Sequence, residues 1–261
     1  MTNNLDPIVV QFGPLLIRWY GLMLGIGVLA CLLVYYICNK KNTEKLTIIY
    51  DLTIWLIIGG LLGARVGHIF FYNFPYFVAN PKEIIFINHG GLSSHGLTIG
   101  LLVTAWMYHK IKKIDLREYL DLMILPIPLL AGCIRIGNYF NSEIIGKITN
   151  VPWGVYFARV DSEIVFRHPQ QLYEALTCFI IFGIMLYTYK KIQPKKSQLF
   201  TFFFFLLMYF TTRFLLEFTK EPHNLKNFFL TTGQILSIPF MIWSGWWIFT
   251  NHNKNNTLSK I

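Results

Sequence analysis

Apolar residues fall into seven runs along the chain, at about 15–37, 48–71, 92–108, 120–140, 172–189, 199–218 and 231–249, with short polar connections between them. Runs of about 20 mostly apolar residues have the length of a membrane-crossing helix. The pattern therefore predicts an all-α polytopic membrane protein with seven transmembrane helices, forming one integral membrane domain over residues 1–261. Breakers mark the exceptions. Pro75 and Pro81 interrupt the connection after the second run, Pro126 and Pro128 should kink the fourth, and Pro169 is placed to start the fifth. The longest polar connection, 141–170, is long enough to form a small outer, periplasmic cap.

Composition supports this reading. Of 261 residues, 54% are hydrophobic and only 14% charged, well below the roughly 25% charged residues of a soluble domain. The net charge of +10 sits in short loops, so membrane topology accounts for it and a nucleic-acid partner is set aside. Lys40, Lys41, Lys45, Lys110, Lys112, Lys113, Arg117, Lys190, Lys191, Lys195, Lys196, Lys254 and Lys260 fall on one side. Only Lys82, Lys147, Arg159, Arg167, Lys220 and Lys226 fall on the other. This bias puts the N-terminus outside and the C-terminus in the cytoplasm. Met1 to Pro14 has neither a basic start nor a small-residue cleavage site, so the first span is expected to act as an uncleaved insertion signal.

The remaining arginines, Arg18, Arg65, Arg135 and Arg213, lie within the predicted spans. A charge at that depth costs at least about 2.5–3.5 kcal/mol, so each requires a partner or a ligand. Arg135 and Asn138 share one helix face at i and i+3, facing the helix bundle. Glu143 and Gly146 then lead into the cap. Glu174 is an intramembrane carboxylate that needs a partner. Arg213 and Glu217, at i and i+4, form either a self-neutralising structural pair or part of a ligand site. Arg65 lies off the seam of small residues Gly59, Gly63 and Gly67, which suits close helix packing, and could face a central cavity. Tyr20 is placed to hydrogen-bond a ligand near the outer interface.

His89 and His95 are six residues apart, a poor spacing for a metal, and Cys31, Cys38, Cys133 and Cys178 show no metal-type spacing. The cysteines read as small buried hydrophobes. His95 is either an interfacial residue or the most accessible base at neutral pH. Several arginines with few acids make an anion site, and guanidinium forks onto phosphate. Between helices, such a phosphate is most naturally a phospholipid head group.

The stretch from Gly132 to Gly146, Gly-Cys-Ile-Arg-Ile-Gly-Asn-Tyr-Phe-Asn-Ser-Glu-Ile-Ile-Gly, resembles the signature of the prolipoprotein diacylglyceryl transferase family. Arg18 to Gly21, Gly63 to Arg65, His89 to Gly96, His168 to Glu174 and Arg213 to Glu217 resemble its other blocks, in order. Ser94 and Leu97 depart from it, standing where an aromatic residue and a glycine are usual. The resemblance implies transfer of the diacylglyceryl group of phosphatidylglycerol to the lipobox cysteine thiol of a prolipoprotein, in the bacterial cytoplasmic membrane and without metal or cofactor. A thiol of pKa about 8.5 then needs a base or a cationic environment, and the departing phosphate needs cations. With that reaction, Arg135 and Arg213 are expected to hold the phosphate, Asn138 and Tyr20 to orient the head group, and His95 to accept the thiol proton. Glu143 and Glu217 would position the arginines, with Arg65 and Gly146 in the binding wall. A secondary transporter of an anionic lipid or metabolite is the alternative, although no repeated half is present. A non-catalytic membrane assembly factor would explain the glycines and leave the arginines without a task.

Overall fold

The computed structural model describes residues 1–13, 15–86, 90–192, 198–221 and 229–258. His89, Lys195, Lys196, Lys226 and Lys260, used above, lie outside the described residues. In chain order the elements are β1 (Thr2–Asn3), β2 (Ile8–Phe12), β3 (Leu15–Arg18), α1 (Trp19–Asn39), α2 (Thr43–Tyr72), α3 (Phe74–Ala79), α4 (Ser94–Lys112), α5 (Arg117–Ile124), α6 (Ile127–Phe140), β4 (Tyr156–Phe157), α7 (Gln170–Lys191), α8 (Phe200–Leu216) and α9 (Thr232–Leu258). They sort into two units, Met1–Ile37 with Leu120–Ile261, and Cys38–Tyr119.

Helix occupies each of the seven apolar stretches. By length and composition α1, α2, α7 and α8 with its extension to Thr219 qualify to cross a membrane, and α5 with α6 makes a fifth if taken as one broken span. The protein is thus a largely helical, multi-pass membrane protein. The break is a 40° bend at Pro126, which has no N–H for the ladder.

The first span begins later than the apolar pattern suggests. Ile8–Phe12 pairs antiparallel with Leu15–Arg18 instead, Val10 with Ile17 and Phe12 with Leu15. The first strand is rich in β-branched residues, which favour extended backbone, and Gly13 turns the chain at φ +57°. Arg18 therefore ends a strand and is not inside a helical span. A second short pairing, parallel, joins β1 to β4, and the Asn3 side chain donates to the carbonyl of Tyr139 at 2.8 Å. The N-terminal segment is thereby built into the 141–170 connection.

That connection is organised by Arg167. Its guanidinium lies 2.8 Å from Asp161 and 2.9 Å from Glu221, and its backbone pairs with Ile148 and Val155. The hydrogen bonds that it donates to Asp161 hold the Arg167 guanidinium above its usual pKa, so the charge is permanent.

In the second unit α2 and α4 pack backbone to backbone. A Cβ on Gly63 would lie 2.5 Å from the Gly96 carbonyl oxygen, and one on Gly67 would lie 2.5 Å from Gly96 Cα. The small-residue spacing read from the sequence is therefore a helix-packing seam, and it fixes the start of α4, where His95 stands.

In the first unit, buried Asp121 caps a neighbouring helix. It accepts from Leu199 N at 2.8 Å and Phe202 N at 2.9 Å, satisfying amides that the first turn of α8 leaves over and placing negative charge at the positive end of the helix. Asp121→Ala is expected to cost about 2 kcal/mol, and Asp121→Asn less, because one acceptor oxygen remains. Thermal unfolding in detergent, followed by circular dichroism, checks the order; equal melting points for wild type and Asp121→Ala would contradict it.

Candidate active site

The last turns of α6 carry Arg135 and Asn138 on one face, as their spacing requires. Arg135 Nη1 donates to Asn138 Oδ1 at 3.2 Å, and the Asn138 amide donates onward to Glu143 Oε2 at 2.8 Å. Asn141 donates to the other oxygen, Oε1, at 3.1 Å. Asn138 is 5% exposed, so these bonds form with little competition from water.

Glu143 reaches back to the helix because the chain reverses on either side of it. Ser142 and Ile144 both have positive φ, 57° and 56°, and Ile144 is β-branched, so its backbone is strained. Backbone bonds hold the reversal: Glu143 N donates to Asn138 O at 3.0 Å and Gln171 Nε2 donates to Glu143 O at 2.5 Å.

Gly146 closes the turn against backbone. A Cβ there would meet His168 O at 2.6 Å and Thr219 O at 2.8 Å, and its own N–H donates to His168 O at 3.1 Å. It joins the exit of α6 to the entry of α7 and the exit of α8.

From α7, Glu174 Oε2 meets Arg135 Nε at 2.5 Å, and its other oxygen lies 3.9 Å from Lys220 Nζ. Arg135 and Glu174 line a cleft of about 370 Å³, counting its open mouth, together with Thr177, Tyr209, Thr212 and Arg213. Among the described residues the Arg213 side chain has no hydrogen-bond or ion-pair partner. Sequence reasoning singled out both arginines and missed Tyr209, Thr177 and Thr212. A signal existed: Tyr209 lies four residues before Arg213 and Thr177 three after Glu174, hence on the same helix faces.

Glu217 departs from the expected i, i+4 arrangement. Helix α8 ends at Leu216, and Glu217 begins a 3-10 turn. Among the described residues no ion pair joins it to Arg213. Its carboxylate, in a residue 8% exposed, instead packs on Gly233, where a Cβ would lie 2.5 Å from Oε1. Tyr20, in the first turn of α1, rests against Gly137 of α6, where an added Cβ would lie 3.1 Å from Tyr20 Cα.

Arg65 and His95 belong to the second unit. Arg65 is 6% exposed and, instead of facing a cavity, donates to backbone carbonyls through all five of its N–H groups. Nε reaches Ile84 O at 3.1 Å, Nη1 reaches Gly90 O at 2.5 Å and Gly91 O at 3.1 Å, and Nη2 reaches Phe86 O at 3.2 Å and Glu83 O. His95 is exposed, its Nδ1 3.4 Å from the Tyr72 hydroxyl. Among the described residues its Nε2 has no partner. All four cysteines are free thiols. No group of three or more His, Cys, Asp or Glu suited to a metal occurs among the described residues.

A sequence model of the family described as prolipoprotein diacylglyceryl transferase matches residues 7–250. The chain belongs to the prolipoprotein diacylglyceryl transferase family. A relative from Chloroherpeton thalassium, named phosphatidylglycerol–prolipoprotein diacylglyceryl transferase, is 40% identical over 92% of this chain and 90% of its own. Relatives of the same name from Bacteroides fragilis and Coxiella burnetii are 38% and 33% identical, covering 92% and 96% of this chain and 91% and 98% of their own. The arginine-lined cleft and the Asn138 to Glu143 network lie within the matched region, so the family assignment covers the candidate site. Nothing in these relatives favours a transporter.

Proposed function

We propose that this chain transfers the diacylglyceryl group of phosphatidylglycerol to a prolipoprotein, and that the acceptor is the thiol of the lipobox cysteine. The thiolate sulfur attacks the glyceryl carbon that carries the phosphate ester. A carbon–sulfur bond forms as the carbon–oxygen bond breaks, and the electron pair leaves with glycerol phosphate.

The observation that carries this reading is the pair of arginines lining one cleft. Arg135 is ion-paired with Glu174 through Nε and donates to Asn138 through Nη1, and among the described residues its Nη2 has no hydrogen-bond partner. Among the described residues Arg213 forms no ion pair. Two cations with free donors suit the oxygens of a departing phosphate, where negative charge grows in the transition state.

Asn138 and Tyr20 orient the head group, Glu143 holds Asn138, and His95 accepts the thiol proton through Nε2. Glu217 serves the site as the seat of the α8 to α9 junction. Arg65 orders the backbone of Glu83, Ile84, Phe86, Gly90 and Gly91 through its carbonyl contacts, and Gly146 orders the cap. Seven crossings, an outside N-terminus, a cytoplasmic C-terminus and an outer 141–170 cap complete the arrangement in the bacterial cytoplasmic membrane, the whole chain serving as one integral membrane domain. The pairing of β1 with β4 supports a common side for the N-terminus and the cap.

Purified protein mixed with phosphatidylglycerol and a lipobox peptide should add the mass of a diacylglyceryl group to the cysteine, with release of glycerol phosphate. Folded protein that yields no adduct would overturn the assignment. In the same assay His95→Gln is expected to lower the rate at neutral pH by about 10²–10⁴-fold. Full activity across neutral pH would remove His95 as the base.

A further inference from the structure

A carboxylate inside an anion site works against the ligand's charge, so Glu174 calls for an explanation. It lines the same cleft as Arg135 and Arg213, and it makes the shorter of two contacts that fix the Arg135 guanidinium, 2.5 Å against 3.2 Å for Asn138. Its own orientation is set from the opposite side. Oε1 accepts from Gln170 Nε2 at 3.4 Å and lies 3.9 Å from Lys220 Nζ, while Gln170 is fully buried and accepts from the Thr219 hydroxyl at 2.7 Å. The carboxylate is thus itself held before it holds the arginine.

The geometry of the guanidinium gives this a consequence. Glu174 stands at Nε and Asn138 takes one Nη1 hydrogen, so Nη2 and the second Nη1 hydrogen are left for a ligand. A long side chain tethered only through Asn138 would keep torsional freedom, and a misplacement of about 1 Å can cost about 10²-fold in rate.

We propose that Glu174 is a positioning residue for Arg135: it turns the terminal edge of the guanidinium toward the cleft, and its negative charge limits how tightly an anionic head group is held there. It rests on the reading of Arg135 as a phosphate-holding group. Two effects of opposite sign follow. Removing the carboxylate loosens Arg135 and slows the reaction, yet it also removes a repulsion and strengthens binding of the anionic lipid.

The test uses Glu174→Gln and Glu174→Ala in nanodiscs of phosphatidylcholine with titrated phosphatidylglycerol. Binding is read by native mass spectrometry and turnover by thioether formation on the lipobox peptide. Glu174→Ala should lose about 10²-fold in kcat. Glu174→Gln, which keeps an oxygen for Nε, should lose about tenfold and bind phosphatidylglycerol several-fold more tightly than wild type. A purely structural role would lower the folded fraction while leaving kcat and Kd of the folded molecules unchanged. That outcome, or weaker lipid binding with unchanged kcat, overturns the proposal. If Glu174→Ala does not fold, the nearly isosteric Glu174→Gln decides alone. Wild-type protein that binds the lipid but forms no thioether would overturn the reaction assigned above, whereas the binding arm would still judge Glu174.

Discussion

Arg65→Ala is expected to destabilise the second unit by about 3 kcal/mol or more, since five carbonyls lose a donor and each one left without another costs about 1–3 kcal/mol unless water reaches it. The acceptors are the carbonyls of Glu83, Ile84, Phe86, Gly90 and Gly91, so one side chain satisfies backbone groups that are up to eight residues apart. Phe77 adds a cation–π contact, its ring 5.0 Å from the guanidinium, which also helps to seat α3. Arg65→Lys should recover little of this, because an ammonium has three donors and lacks the planar fork. Limited proteolysis provides the measurement. Cleavage within residues 80–92 should accelerate strongly in both variants. Wild-type resistance in Arg65→Ala would show that the segment is held by other means.

Arg135→Lys should leave the fold intact and reduce kcat by about 10²–10³-fold, the usual cost of removing a donor aimed at developing negative charge. Lysine preserves the charge at the end of α6 but cannot engage Glu174, Asn138 and a ligand from one rigid plane. Melting behaviour close to wild type, with the thioether rate down by that factor, is the expected pair of results. A near wild-type rate would mean that position 135 needs only a positive charge.

The contrast between these two arginines shows how far the sequence carries. Both appeared as unexplained charges in apolar helices, and hydropathy cannot distinguish them. The difference lies in their neighbours. Arg65 meets carbonyls contributed from 18 to 26 residues further on, a tertiary contact with no periodicity to reveal it. Arg135 meets Asn138 three residues away, which helix geometry does reveal. Glu174 was recognisable as a carboxylate in need of a partner, but only packing of α7 on α6 chooses Arg135.

The same logic explains the departures. Arg213 and Glu217 would pair if the helix ran on, and instead it gives way to a 3-10 turn after Leu216, which rotates the carboxylate onto Gly233. Residues 15–18 are apolar enough to join the first helix, yet pairing with residues 8–12 wins, because Gly13 permits the turn. An apolar run shows that a segment avoids water, and its backbone form is decided by the available partner.

The parallel pairing of β1 with β4 has a consequence for biosynthesis. Thr2 and Asn3 leave the ribosome well before their partners Tyr156 and Phe157, which follow after roughly 8–30 s at about 5–20 residues per second. During that interval the segment of Thr2 and Asn3 must already stand on the side where the 141–170 connection will later be made. Correct insertion of the first helix is therefore checked a second time, by whether a strand arriving much later finds it.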